Sequence, residues 1–141
     1  LYTEDFRRIL AELGCPDFRT VENRVLTVEN PEIEKRVEGI TFYSTTIRAF
    51  KLASLEDQCE DYGQVATYKG GIEDSENSFT LDDHHIFEVG KPELVCGNSA
   101  SMLQETRFGK YFDIIGDRSK HFGLFDCNQG PSVEKAATNC C

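Results

Sequence analysis

The stretch Ile40–Leu52, ITFYSTTIRAFKL, constrains the fold more than any other part of the chain. It is dense in β-branched and aromatic residues, which pack on a pleated surface, so it is predicted to be a strand. Strict alternation places Phe42, Ser44, Thr46, Arg48 and Phe50 on one face and Tyr43, Thr45, Ile47 and Ala49 on the other. Upstream, Asn30-Pro31-Glu32 is a helix start with a cap, a proline in the first turn and an acid near the positive end of the dipole. Ile33 and Val37 give that short helix an inner face, and Gly39 stops it. Phe18–Val28 reads as another strand through Val21, Val25 and Leu26, although its alternation is imperfect. Before it, Thr3 caps an apolar stripe of Phe6, Ile9, Leu10 and Leu13 that ends at Gly14 and Pro16. Helix, strand, helix, strand is the order that closes an open α/β sheet. The sheet it would complete is not in this chain, so the chain reads as cut from a longer protein.

The character changes after Leu52. Residues 53–63 form a polar, acidic connection and a plausible boundary. Val65–Tyr68 is predicted to be a strand running into Gly70-Gly71, Ser78–Val89 another, and Leu94–Cys96 its continuation. Asn98 is predicted to cap a helix holding Met102 and Leu103, followed by a strand at Phe112–Ile115 and a short strand or extended segment at His121–Phe125. From Cys127 the residues turn small and polar and read as a flexible tail, with room for a helical turn around Ser132–Ala137. The fold class is therefore α+β: a helix-strand-helix-strand segment over 1–52, a small, mostly antiparallel sheet with one main helix over 53–126, and a cysteine-containing tail over 127–141.

A formal charge of −10, with 15 basic against 25 acidic residues, disfavours nucleic acid and anionic membranes, which need clustered Lys and Arg. No apolar run approaches the length of a membrane span, and no signal peptide opens the chain. Six cysteines stand at 15, 59, 96, 127, 140 and 141 without a C-x-x-C pair, so neither a zinc ribbon nor a thioredoxin-like site is signalled. A reducing cytoplasm suits this usage.

Four carboxylates, Glu56, Asp57, Glu60 and Asp61, lie within three residues of Cys59. Catalytic thiols sit among cations, and acidic neighbours favour the protonated thiol, so Cys59 is not read as an activated nucleophile. Two roles remain open for it: a soft ligand whose proton a metal or metalloid displaces, and a half-buried packing cysteine at the start of a strand. Asp82-Asp83-His84-His85 resembles a metal box, but on a strand neither face would collect more than two ligands unless His121 joined one. Cys140 and Cys141 are adjacent thiols suited to soft ions, or simply part of the tail. Cys15 and Cys96 read as packing residues. Ser44 and Ser101 have no histidine and acid arranged around them, so no nucleophile is assigned.

The segments together resemble one known family. Phe42-Tyr-Ser-x-Thr-x-Arg48-x-Phe-Lys-Leu52 and Leu55-Glu-Asp-x-Cys59-Glu-Asp-Tyr-Gly-Gln-Val-Ala-x-Tyr-Lys-Gly70 are followed by Leu81-Asp-Asp-His-His85, Val95-Cys-Gly-Asn98, Glu105-Thr-Arg-Phe108 and His121-Phe-Gly-Leu-Phe125. In this order they are similar to the C-terminal part of arsenite S-adenosylmethionine methyltransferases, particularly microbial and fungal-type members, over Leu1 to about Gly130. The opening Leu1-Tyr2 looks like the end of that family's Gly-Ala-Leu-Tyr element.

The resemblance implies an enzyme of detoxification in which cysteine thiolates hold As(III) while its lone pair attacks the sulfonium methyl group. It implies Cys59 as the arsenic ligand after the methyltransferase sheet; Cys140 and Cys141 stay candidates on their own thiol chemistry. It places another arsenic ligand and the S-adenosylmethionine core upstream of Leu1, so this chain alone would not be catalytically competent. Implied partners are arsenite, methylated trivalent arsenicals and a glutathione or thioredoxin-type reductant. The alternative is a non-catalytic soft-metal or metalloid binding module.

Overall fold

The chain opens with α1 (Thr3–Glu12) and α2 (Pro31–Arg36), which flank the long strand β1 (Phe18–Leu26), in a computed structural model that describes residues 1–126. β1 pairs antiparallel with β2 (Phe42–Ala49) from Phe18 opposite Ala49 to Leu26 opposite Phe42. The register slips between Thr20 and Glu22, leaving Val21 as an extra residue on β1. That bulge is the structural counterpart of the imperfect alternation in this segment. Asn30 caps α2 as expected, its Oδ1 accepting from the Glu32 and Ile33 amides at 2.9 and 3.2 Å. Thr3 does not cap α1: the helix begins at Thr3 itself, and Tyr2 stands at the cap without a side-chain bond. Phe6 meets Phe18 edge-on at 6.0 Å, which seats α1 on the ribbon. Much of the apolar surface here stays uncovered, including Ile9, Leu13, Val25, Ile33, Ile40, Phe42 and Tyr43.

The second half is built of short antiparallel pieces. β3 (Glu60–Asp61) lies inside the segment expected to be only a connection and pairs with β9 (Gly123–Leu124). β4 (Gln64–Tyr68) is the centre of a three-stranded sheet between β7 (Pro92–Val95) and β8 (Phe112–Ile115). The expected single strand over Ser78–Val89 is instead a hairpin, β5 (Ser78–Thr80) and β6 (Ile86–Glu88), with Leu81–His85 as its turn. The reason lies in Asp82, whose Oδ1 accepts from the amides of His84 and His85 at 2.9 and 2.7 Å and so bends the chain. α3 (Gly97–Gln104) packs on β4 and β8 and, among the described residues, is the one α-helix whose face is largely buried.

The core is aromatic. Tyr68, Phe79, Phe87, Phe108 and Phe112 pack with Leu81, Val95, Met102 and Leu103, and Phe50 joins them from just beyond β2. Phe79 sits at the centre, 4.9 Å from Phe108 and 5.5 Å from Phe112 between ring centroids. The Tyr68 hydroxyl donates to the Ser75 carbonyl at 2.8 Å and accepts from the Ile72 amide at 3.1 Å, so its burial leaves no polar group unmet. No helix among the described residues is long and apolar enough to cross a membrane.

Phe79→Ala is expected to cost about 3–5 kcal/mol, the usual penalty for removing a fully packed ring. Urea unfolding followed by far-ultraviolet circular dichroism measures it, and a loss below about 1 kcal/mol would show that the ring is not central.

Candidate functional site: two buried cysteines beside a buried arginine

Cys59 lies at the start of β3 and Cys96 at the end of β7, and the two form one buried cluster with half-buried Phe125 over them. Cys59 is 4% exposed and Cys96 fully buried. The Phe125 amide donates to the Cys59 carbonyl at 2.7 Å, and the Phe122 amide to the Asp61 carbonyl at 2.8 Å, so the β3–β9 ribbon closes this corner. Cys59 is disulfide-bonded in this structure, whereas Cys96 carries no disulfide.

Cys96 does more than pack. It is the N-cap of α3, the role expected of Asn98, with its Sγ accepting from the Ser99 amide at 3.4 Å and lying 3.3 Å from Ser99 Oγ. Arg19 Nη2 approaches the same sulfur to 3.9 Å. Asn98 serves the site differently. Its Oδ1 accepts from the Glu56 amide at 2.8 Å, and its Nδ2 donates to the Glu56 carbonyl at 2.9 Å and to Asp17 Oδ2 at 3.0 Å. It therefore pins the segment leading to Cys59 against the start of α3. Gly97 is required here: a Cβ would meet the Tyr62 ring at 2.8 Å.

Arg19 is the electrostatic centre. It is 5% exposed, with Nη1 donating to Asp82 Oδ2 at 3.1 Å and Nη2 to Asp17 Oδ2 at 2.9 Å. Burial opposes its charge, but Asp17, Cys96 and Asp82 outweigh that and raise its pKa above the ordinary value. Asp82 is likewise penalised by burial. The His85 ring at 2.8 Å, the Arg19 cation and the His84 amide overcome the penalty and hold its carboxyl below the ordinary 3.8. The Asp83 amide also bonds the Thr20 carbonyl at 2.8 Å, tying the same turn to β1.

The other sequence candidates disperse. His85 is buried on Asp82, while His84 is more exposed and lies 3.6 Å from Asp83. Their separation comes from the turn, not from strand alternation. His121 joins neither; its Nε2 lies 2.7 Å from Glu60 Oε2. Among the described residues, no group of three or more His, Cys, Asp or Glu side chains could hold a metal ion. Three of the four acids around Cys59 have partners of their own: Glu56 with Tyr62 at 2.6 Å, Glu60 with His121, and Asp61 with the Gly63 amide at 2.8 Å. Ser101 Oγ accepts from Arg118 Nη2 at 3.0 Å, and Cys15 is half-buried without a disulfide. A cleft of about 510 Å³ lined by Arg48, Phe50, Leu52, Arg107 and Phe108 contains no thiol. Cys127, Cys140, Cys141 and the predicted turn at Ser132–Ala137 lie outside the described residues.

Comparison with known proteins shows the class: the chain matches the C-terminal part of a family of methyltransferases. The model of the arsenite methyltransferase C-terminal domain matches residues 61–141, and the chain belongs to that family. An arsenite methyltransferase of Aquipseudomonas alcaligenes is 42% identical across the whole chain, which spans 42% of that protein's length. The mouse arsenite methyltransferase is 33% identical over 79% of the chain. A crystal structure of an arsenic(III) S-adenosylmethionine methyltransferase from Chlamydomonas reinhardtii superposes with a TM-score of 0.85 at 45% identity, covering 89% of this chain and 42% of that one.

Asp82→Asn should cost about 3–5 kcal/mol, because it leaves the buried Arg19 charge under-compensated. The wild-type contribution should be fully present above the ordinary carboxylate pKa. It should fade as pH falls through the lower folded value, so the gap between wild type and variant narrows in acid. Unfolding free energies measured from pH 7 down to pH 3 test both points; a pH-independent gap would contradict the second.

Proposed function

We propose that this chain is the trivalent-arsenic-binding C-terminal region of an enzyme that methylates arsenite with S-adenosylmethionine, and that Cys59 is its arsenic ligand. The observation that carries the reading is the placement of Cys59 in a buried corner, just before the matched domain, of a chain belonging to the arsenite methyltransferase family. As(III) is soft and favours thiolate sulfur over oxygen donors. The disulfide at Cys59 must be reduced before that sulfur can bind. A glutathione or thioredoxin-type reductant would serve, consistent with a cytoplasmic role in detoxification.

The residues present do not fit S-adenosylmethionine. All strand pairings in the four sheets are antiparallel, so the described residues contain no parallel βα unit whose loop could cradle the cofactor. The uncovered apolar side chains of α1, α2 and the β1–β2 ribbon support residues 1–52 as the end of a larger sheet that carries the cofactor. Residues 53–126 would then form the arsenic-binding unit, with Cys140 and Cys141 in the tail as auxiliary soft ligands.

The test is titration of phenylarsine oxide into the phosphine-reduced chain and its Cys59→Ser variant, both with Cys140 and Cys141 replaced by serine. Cys59→Ser is expected to remove most of the binding, because it replaces the sulfur donor that As(III) favours with oxygen. Equal binding by the two proteins would remove Cys59 from the site. With S-adenosylmethionine and arsenite, the chain alone should transfer no methyl group.

A further inference from the structure

We propose that the cleft between the end of β2 and the segment after α3 binds a small organic oxyanion, a carboxylate or phosphate carried on an apolar body. The cleft encloses about 510 Å³, within the range of small-molecule sites. Arg48, Lys51 and Arg107 stand around it, and Phe50, Leu52 and Phe108 give it apolar walls. No Asp or Glu lines it, although the chain carries 25 acidic against 15 basic residues.

The cations are held in place without being neutralised. Among the described residues, none of the three forms an ion pair with a carboxylate. Arg48 Nη1 donates to the Thr80 and Leu81 carbonyls, the latter at 2.7 Å. Its guanidinium lies 5.0 Å from the centroid of the Phe79 ring and 5.8 Å from that of Phe108. Arg107 lies 5.1 Å from the same Phe108 centroid. Carbonyls and ring faces orient a cation but leave its charge in place. Arg48 Nε and Nη2 make no hydrogen bond among the described residues, and neither is sealed from solvent. Glu105, two residues before Arg107, accepts from Ser54 Oγ at 2.9 Å instead of meeting an arginine.

A structural role covers only part of this arrangement. Arg48 ties the end of β2 to the β5–β6 hairpin through its two carbonyl bonds. That does not account for Arg107 and Lys51, which are exposed, nor for like charges gathered around one cleft. Burial and the Arg107 charge both lower the pKa of Arg48, and the opposing carboxylate, Asp82, is already engaged by Arg19 and His85. An oxyanion between the two guanidinium groups would relieve their repulsion. Guanidinium forks match the paired oxygens of carboxylates and phosphates. The phenylalanine and leucine walls favour an anion attached to an apolar body over a bare ion.

The test is an amide NMR titration of the full chain with phenyl phosphate, with benzoate, inorganic phosphate and benzylamine as comparisons. Both aromatic anions should bind more tightly than inorganic phosphate, and benzylamine should not bind. Their relative affinity tells which oxyanion the arginines prefer, and either order supports the site. Amide shifts should concentrate on residues 47–52 and 106–108. Arg107→Gln should weaken phenyl phosphate binding about tenfold or more, the scale of one charge-assisted hydrogen bond, and added salt should weaken it further. Arg107 is exposed, so its replacement should leave the amide spectrum outside the cleft unchanged. Unchanged affinity in Arg107→Gln, shifts scattered over the surface, or equal binding of benzylamine would overturn the site. Inorganic phosphate binding as tightly as phenyl phosphate would overturn the apolar part of the assignment.

Discussion

A single buried cation organises this protein. Arg19 reaches out of the β1–β2 ribbon into the second half of the chain, where Asp82, Asp17 and the Cys96 sulfur meet it. A guanidinium this deeply buried is tolerable only with compensating charge and hydrogen bonds. Asp17 comes from the same strand end and Asp82 from the β5–β6 turn, so satisfying Arg19 forces the two halves into one arrangement. Asn98 extends the network from Asp17 to Glu56. Phe50 adds an apolar tie, crossing from the end of β2 into the aromatic core of the second half.

The candidate site inherits its geometry from this network. Cys96 is fixed by α3 beneath it and by Arg19 beside it, while Asn98 holds the segment that delivers Cys59. The cover is weaker: β3 and β9 contribute two residues each. The result is a helix-capped, ion-paired floor under a two-residue ribbon. That combination suits a thiol site that must exclude water yet admit a small ligand. It also explains why such an acidic chain can keep a cationic centre. The carboxylates that matter are those turned inward, and three of the four around Cys59 are engaged by Tyr62, His121 and the Gly63 amide.

Much of the architecture was legible from sequence because local rules agree with the tertiary result. The β-branched run at Ile40–Leu52, the Asn30-Pro31 helix start and the Val65–Tyr68 and Phe112–Ile115 strands need only propensity and capping to be read. The hairpin at Ser78–Glu88 was read as one strand because its turn contains no glycine or proline; a single aspartate side chain makes the bend. Of the buried corner, only Cys59 was singled out from sequence, through its motif. Arg19 was not marked, Cys96 was read only as packing and Asn98 only as a helix cap, because their contacts span 63, 77 and 81 residues. Arg19 itself sits in a strand whose bulge at Val21 spoils the alternation that would have marked it as inward-facing. An uninterrupted Asp17-x-Arg19 pair opening a strand, opposite no local counter-charge, was the one available hint.

The central claim is that reduced Cys59 in this chain takes up trivalent arsenic. Arsenic K-edge X-ray absorption measures that directly on the phosphine-reduced chain, with Cys140 and Cys141 replaced by serine and less than one equivalent of arsenite added. The predicted result is a first shell containing sulfur, which is lost in Cys59→Ser. A shell made only of oxygen, as for arsenite free in solution, would contradict it.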